Sequence, residues 1–256
     1  MKMLDAKHYL LEIRLDRKEV SSFAEYPFSL VAVSQLDSLV LHPSVTFLVG
    51  ENGTGKSTLL EAVAVAWGLN PEGGSRNFNF ASRPSHSELH RFLRLVKSSR
   101  RPNDAFFFRA ESFFNVATQI EKLDRDEEPL KNPPPPVINS FGGRSLHEQS
   151  HGESFLSLLM DRFGGRGLYI LDEPEAALSP SRQMAAISRI HELVRKGSQF
   201  IIATHSPILM AYPDAQIHQL TEDGIRTVKY TDTDHYSVTR TFLNDHKRML
   251  NILMEE

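Results

Sequence analysis

VTFLVGENGTGKSTLLEAVAVAWGL, residues 45–69, is the stretch on which the fold turns. It opens with a nearly continuous apolar run ending in glycine, the pattern of a strand buried on both faces of a mostly parallel sheet. From Ser57 onward the spacing is helical, with few breakers. Between the two, GENGTGKST (50–58) fits G-x-x-x-x-G-K-[ST] in the strand-before, helix-after context that the pattern requires. Glycines there let successive backbone N–H groups converge on phosphate oxygens at the positive end of a helix dipole. The nucleotide-binding set is then Gly50, Asn52, Gly53, Thr54, Gly55, Lys56, Ser57 and Thr58. Lys56 is expected to reach the β and γ phosphates of ATP, and the Ser57 hydroxyl to coordinate Mg²⁺.

LYILDEP (168–174) supplies the complementary acids. Four apolar residues bury a strand, and Asp172 and Glu173 emerge at its carboxyl end, where open α/β sheets bind ligands. Asp172 is expected to hold Mg²⁺ directly or through water. Glu173 is expected to polarise the water that attacks the γ-phosphate, because phosphoryl transfer needs a positioned nucleophile and charge stabilisation more than covalent help. QFIIATH (199–205) reads as the next strand and delivers His205 to the same region.

Around these motifs the chain alternates strands and helices, which implies parallel pairing with crossover helices. Tyr9, Leu11, Ile13 and Leu15 alternate with polar neighbours and predict a half-buried strand. Residues 70–85 read as loop, SELHRFLRLVK (87–97) as an amphipathic helix, AFFFRA (105–110) as a buried strand and ESFFNVATQIEKLDR (111–125) as a helix. DEEPLKNPPPP (126–136) cannot continue a helix. The pieces on either side of it are too short for separate cores, so residues 1–256 are expected to form one domain. Helices are predicted from about Pro180 to Lys196 and after Ser206. IHQLTEDGIRTVKY (217–230) reads as a hairpin turning at Asp223-Gly224, and YSVTRTFLNDHKRMLNILMEE (236–256) as a final helix.

Composition narrows the classes. The formal charge of −3, from 29 basic and 32 acidic residues, gives no general attraction to nucleic acid or an anionic membrane. With no cysteine, disulfides, thiolate zinc sites and cysteine nucleophiles are excluded, and a cytoplasmic location is the economical expectation. Charges run through the N-terminal window where a signal peptide needs an apolar core. No apolar run approaches the ~18 residues of a spanning helix, so no integral membrane segment is expected.

The motif order carries a resemblance. QSHGESF (149–155) precedes the acidic strand and IIATHSP follows it, and from about Val45 to Pro207 the sequence resembles ABC-type ATPases. Gln149-Ser150-His151-Gly152-Glu153 aligns with the family signature LSGGQ, keeping the serine and the second glycine. Its S-x-G-E form is closer to chromosome-maintenance and recombination-repair ATPases than to transporter subunits. The resemblance implies an α/β P-loop NTPase of ABC-head type, with a mostly parallel central sheet, an antiparallel N-terminal β portion and a short helical lobe at about 111–150. It also implies an ATP-dependent head-to-tail homodimer. In that arrangement Ser150, Gly152 and Glu153 address the γ-phosphate bound to the opposite subunit, and His205 is the switch histidine in cis. Ser150 is also suited to capping a helix.

There are departures. Ser179 in ALSP (177–180) stands where the family D-loop usually has aspartate, and no Q-loop glutamine is evident, so Glu111 is the nominee for the metal or water contact. Tyr26 and Phe28 are available to an adenine ring but suit core packing better. The short, proline-bearing interval between Glu111 and Gln149 excludes a coiled-coil arm. His86/His90 and His147/His151 each lie one helical turn apart without a third metal ligand. KSSRRP (97–102) reads as a basic helix end and TDTDH (231–235) as a turn. The expected function is Mg-dependent ATP hydrolysis. Two alternatives remain: a slowly turning nucleotide-controlled binding module for DNA or an effector protein, and the nucleotide-binding subunit of a membrane transporter.

Overall fold

The computed structural model describes residues 7–75, 87–125, 136–145, 147–149 and 151–254. Strands β1 (Leu10–Leu15), β2 (Ser38–Val40) and β4 (Leu93–Lys97) form an antiparallel sheet in the order β2-β1-β4. The larger sheet contains β3 (Val45–Gly50), β5 (Asp104–Arg109), β6 (Gly167–Asp172), β7 (Gln199–Ala203), β8 (Gln216–Thr221) and β9 (Gly224–Val228), in the order β5-β6-β7-β3-β8-β9. Its pairs are parallel except the β8–β9 hairpin.

The apolar runs are continuous because this sheet is covered on both sides. Alternate side chains of a strand point to opposite faces. Tyr169 and Leu171 therefore join Phe106, Phe108, Phe200 and Ile202 in one core layer, under α3 (Phe113–Arg125), α4 (His151–Ser157) and α5 (Pro180–Arg195). Leu168 and Ile170 join Phe107, Ile201 and Ala203 in the other, under α1 (Val31–Ser34), α2 (Lys56–Trp67) and the antiparallel sheet, and the short α6 (Pro207–Met210) follows β7. Burying a side chain of this size contributes about 1.5–3 kcal/mol, so neither face of the sheet tolerates polar alternation. Gln199 splices the two sheets. Its Oε1 accepts from the N–H groups of Tyr9 and Leu10 at 3.0 Å each, and its Nε2 donates to the carbonyls of Leu10 and His42 at 2.8 and 3.1 Å.

Several expectations need correction. SELHRFLRLVK is not a helix: a 3₁₀ turn at Glu88–Phe92 runs into β4, whose Leu93 and Leu95 pair with Leu15 and Ile13 of β1. Pairing with β1 overrides the local helical spacing. KSSRRP is accordingly the connection from β4 to β5 rather than a helix end, with Lys97 over the Trp67 ring at 4.4 Å. A register shift between Leu10 and Glu12 buries Leu10 and leaves Leu11 only half-buried. The C-terminal segment is two helices, α7 (Asp234–Asn244) and α8 (His246–Met254), broken at Asp245, whose φ of −146° and ψ of 62° are not helical. TDTDH does contain a turn, of 3₁₀ type over Tyr230–Asp232, and it leads through the cap Thr233 into α7. Residues 126–135 of the proline-rich connection, His86 and Ser150 lie outside the described residues.

Candidate functional site

Sheet register brings the predicted residues to one edge. Leu48 of β3 stands opposite Ala203 of β7, Ala203 opposite Asp172 of β6, and Asp172 opposite Arg109 of β5. The carboxyl ends of four neighbouring strands thus present Gly50, His205, Asp172 and Arg109 together, beside the order reversal at β3, where such sheets bind ligands.

The loop after β3 is shaped by its glycines. Gly50 has φ 148°, and a Cβ there would lie 2.4 Å from the Leu220 carbonyl oxygen, so the backbone passes β8 too closely for any side chain. Gly55 opens α2 in the left-handed region at φ 95°, with Leu30 Cβ 3.0 Å from where its own Cβ would be. The loop is tied down where Thr54 O accepts from Ala32 N–H at 2.9 Å and Thr54 Oγ1 donates to Glu51 O at 2.9 Å. Lys56 Nζ is buried and donates to the loop carbonyls of Gly50 and Glu51 at 2.7 and 2.9 Å. Burial lowers its pKa, opposed by Glu173, Asp172 and Glu51. Asn52 and Gly53 are exposed at the tip of the loop, and Thr58 lies in the first turn of α2.

Ser57 Oγ donates to Asp172 Oδ1 at 3.0 Å. Burial pushes the Asp172 carboxyl up to about 7, against the Ser57 hydrogen bond and the Arg109 guanidinium. Two hard oxygen donors side by side, one a buried carboxyl short of positive charge, fit Mg²⁺. Glu173 occupies the left-handed region at φ 49°, ψ 53°, a strained conformation for a residue with a side chain. It is held by its N–H on Ala203 O at 3.0 Å, and its Oε1 lies 3.6 Å from His205 Nε2. That His205 nitrogen is buried and has no hydrogen-bond partner among the described residues.

Two residues escaped the sequence reading. Arg109 ends β5, donates to Glu61 Oε2 at 2.6 Å and to Glu111 Oε2 at 3.2 Å, and holds Nε 3.9 Å from Asp172 Oδ2. A cation closing an apolar strand in line with Asp172 was its signal. Glu111, the nominee for a metal contact, is exposed and has its carboxylate on Arg109. Glu175, the third acid of DEPE, accepts the His205 backbone N–H at 2.5 Å, and burial raises its pKa.

The signature region meets the segment after the acidic strand. A Cβ on Gly152 would lie 2.3 Å from Ala177 O, so glycine lets α4 approach this backbone, and Glu153 pairs with Arg182 at 3.2 Å. Ser179 caps α5, accepting Arg182 N–H at 3.4 Å. Phe28 packs edge-on to Phe92 at 4.9 Å, a core position, while Tyr26 is exposed. His147 contacts Thr118 and Phe114, and no cluster of three metal-ligating side chains occurs among the described residues.

A family model described as "AAA domain, putative AbiEii toxin, Type IV TA system" matches residues 82–211, and a second AAA domain model matches 27–128. The chain is 26% identical over 212 residues to the energy-coupling factor transporter ATP-binding protein EcfA2 of Methanospirillum hungatei, covering 78% of this chain and 51% of that one. It is 28% identical over 171 residues to the vitamin B12 import ATP-binding protein BtuD of Yersinia enterocolitica, covering 62% and 66%. Curated relatives are matched over between 24% and 68% of their own length. The structure of cbiO1 from Clostridium perfringens, part of an ABC transporter complex, superposes with a TM-score of 0.50 at 18% identity, over 97% of this chain and all of that one. Among the described residues no helix is long and apolar enough to cross a membrane.

Proposed function

The chain belongs to the AAA domain family and has the fold of an ABC-type ATPase, and on that premise we propose that it binds Mg·ATP and hydrolyses it between two copies of itself. The observation that carries this reading is the convergence of Lys56, the Ser57–Asp172 pair, Glu173 and His205 at neighbouring strand ends. Bound Mg²⁺ supplies charge neutralisation of the phosphates, and Ser57 and Asp172 are the residues that hold it. Glu111, two residues beyond Arg109, keeps its carboxylate on that guanidinium. Loop N–H groups from Gly50 to Thr58 cradle the phosphates, and Lys56 leaves its loop carbonyls for the β and γ oxygens. Glu173 accepts the proton of the attacking water, and His205 Nε2 donates to the γ-phosphate.

Ser150, Gly152 and Glu153 complete the site from the second copy, with the N-terminus of α4 addressing the γ-phosphate. Gly152 and Arg182 tie that helix end to Ala177 and α5, so movement at the acidic strand end reaches the signature. The Gln199 splice supports reading residues 1–256 as one such ATPase domain.

Changing Glu173 to Gln is expected to lower turnover by about 10²–10⁴-fold, the usual contribution of a general base, with ATP affinity retained. Unchanged turnover would remove Glu173 from this role. The transport proteins among the relatives favour a second reading, a transporter's nucleotide-binding subunit. Stable co-purification with an integral membrane protein would decide for it.

A further inference from the structure

Helix α7 meets the nucleotide site at His235. His235, in the first turn of α7, places its Nε2 3.1 Å from Nδ1 of His205. The first turn is fixed in place: Thr233 caps it by accepting the Tyr236 N–H at 3.3 Å, and Asp234 Oδ2 accepts from Gln219 Nε2 of β8 at 2.5 Å. Beyond this turn α7 has no buried residue.

A contact between two ring nitrogens needs one donor and one lone pair. The groups facing the pair are Glu51 and Lys56 from the phosphate loop, Glu173 and Glu175 from the acidic strand end, and Asp234 on α7. Burial, with Lys56 adding to it, lowers the pKa of His205, and burial lowers that of His235 against the pull of Glu51. Both rings are therefore neutral near pH 7, and each carries a single N–H. If His205 donated through Nδ1, its Nε2 would be a bare lone pair facing Glu173 Oε1 at 3.6 Å, two acceptors pointed at each other. If His235 donates through Nε2, the proton of His205 sits on Nε2, the buried atom that has no hydrogen-bond partner among the described residues and lies beside Glu173.

We propose that His235 is a positioning residue: its Nε2–H fixes His205 in the Nε2–H tautomer, so that His205 can donate to the γ-phosphate, and this makes the docking of α7 a condition of turnover. A ring nitrogen's protonation is set by the hydrogen bond its partner nitrogen makes, and here the setting group comes from a helix outside the central alternation of strands and helices. The inference rests on the role given to His205 above.

The test replaces His235 by Leu, Gln and Glu in the full chain and measures ATP turnover, with thermal unfolding as the check on folding. His235→Gln keeps an N–H donor at the Nε2 position and is expected to stay within about threefold of wild type. His235→Leu removes the donor and His235→Glu substitutes an acceptor. Both are expected to lower kcat by about 10–100-fold, the usual effect of losing a partner that orients a functional histidine, with KM for ATP little changed. Nitrogen-15 NMR of the wild-type imidazoles, independent of any variant, is expected to find His205 protonated on Nε2. Wild-type kcat in His235→Leu, equal losses in Leu and Gln, or His205 protonated on Nδ1 would each overturn the inference. His205→Ala separates the two levels. If that variant is inactive while His235→Leu turns over normally, only the positioning role fails; if it turns over normally, the γ-phosphate role fails and the inference with it.

Discussion

At the residue scale the chemistry concentrates in Asp172. The sequence placed it at a strand end beside Glu173, but its electrostatics depend on Arg109 and on burial beneath the loop, which only the assembled sheet supplies. In the folded protein its pKa is about 7, above the ordinary carboxylate value near 4. Below pH ~4 the carboxyl is neutral in both folded and unfolded chains and costs nothing. As pH rises toward 7 the unfolded chain ionises while the folded one keeps its proton, so stability without nucleotide falls, by at most about 4 kcal/mol from this group. Asp172→Asn is therefore expected to be more stable than wild type in the metal-free state, with the gap widening from pH 5 to pH 8 in urea titrations. Mg·ATP binding by wild type should strengthen over the same range and release a proton. A gap independent of pH would mean that Asp172 is ionised in the folded protein and that Arg109 outweighs burial.

At the element scale the strand–loop–helix unit was legible because three independent signals coincided in residues 45–69, the apolar run, the glycines and the helical spacing. SELHRFLRLVK misled because its leucines satisfy a helical period locally, while the partner that makes it a strand, β1, lies far back in the chain. Gln199 was equally unreadable. Nothing local distinguishes a glutamine that starts a buried strand from one on a surface, yet its amide satisfies four backbone groups across the junction of the two sheets. Leaving a buried polar group unpaired costs about 1–3 kcal/mol, so Gln199→Leu is expected to destabilise the fold by more than about 3 kcal/mol in chemical denaturation. A loss below about 1 kcal/mol would show that water replaces the amide and that the splice is weak.

At the scale of the whole molecule the sequence conveyed the order of the motifs, and that order sufficed for the two-sided sheet and the site edge. It did not convey that the chain beyond β9 returns to the site, because His235 acquires its meaning only when the first turn of α7 meets His205, just past the end of β7. In the proposed closure the signature region acts on a second copy, and in each copy a Cβ on Gly152 would meet Ala177 O and Arg182 of α5. ATP is expected to close two copies head to tail, and the solution mass of the Glu173→Gln variant, by light scattering with and without Mg·ATP, shows whether it does. Doubling only with Mg·ATP, abolished by Ser150→Arg, is the predicted result. A variant that binds ATP yet keeps the same mass would contradict the account.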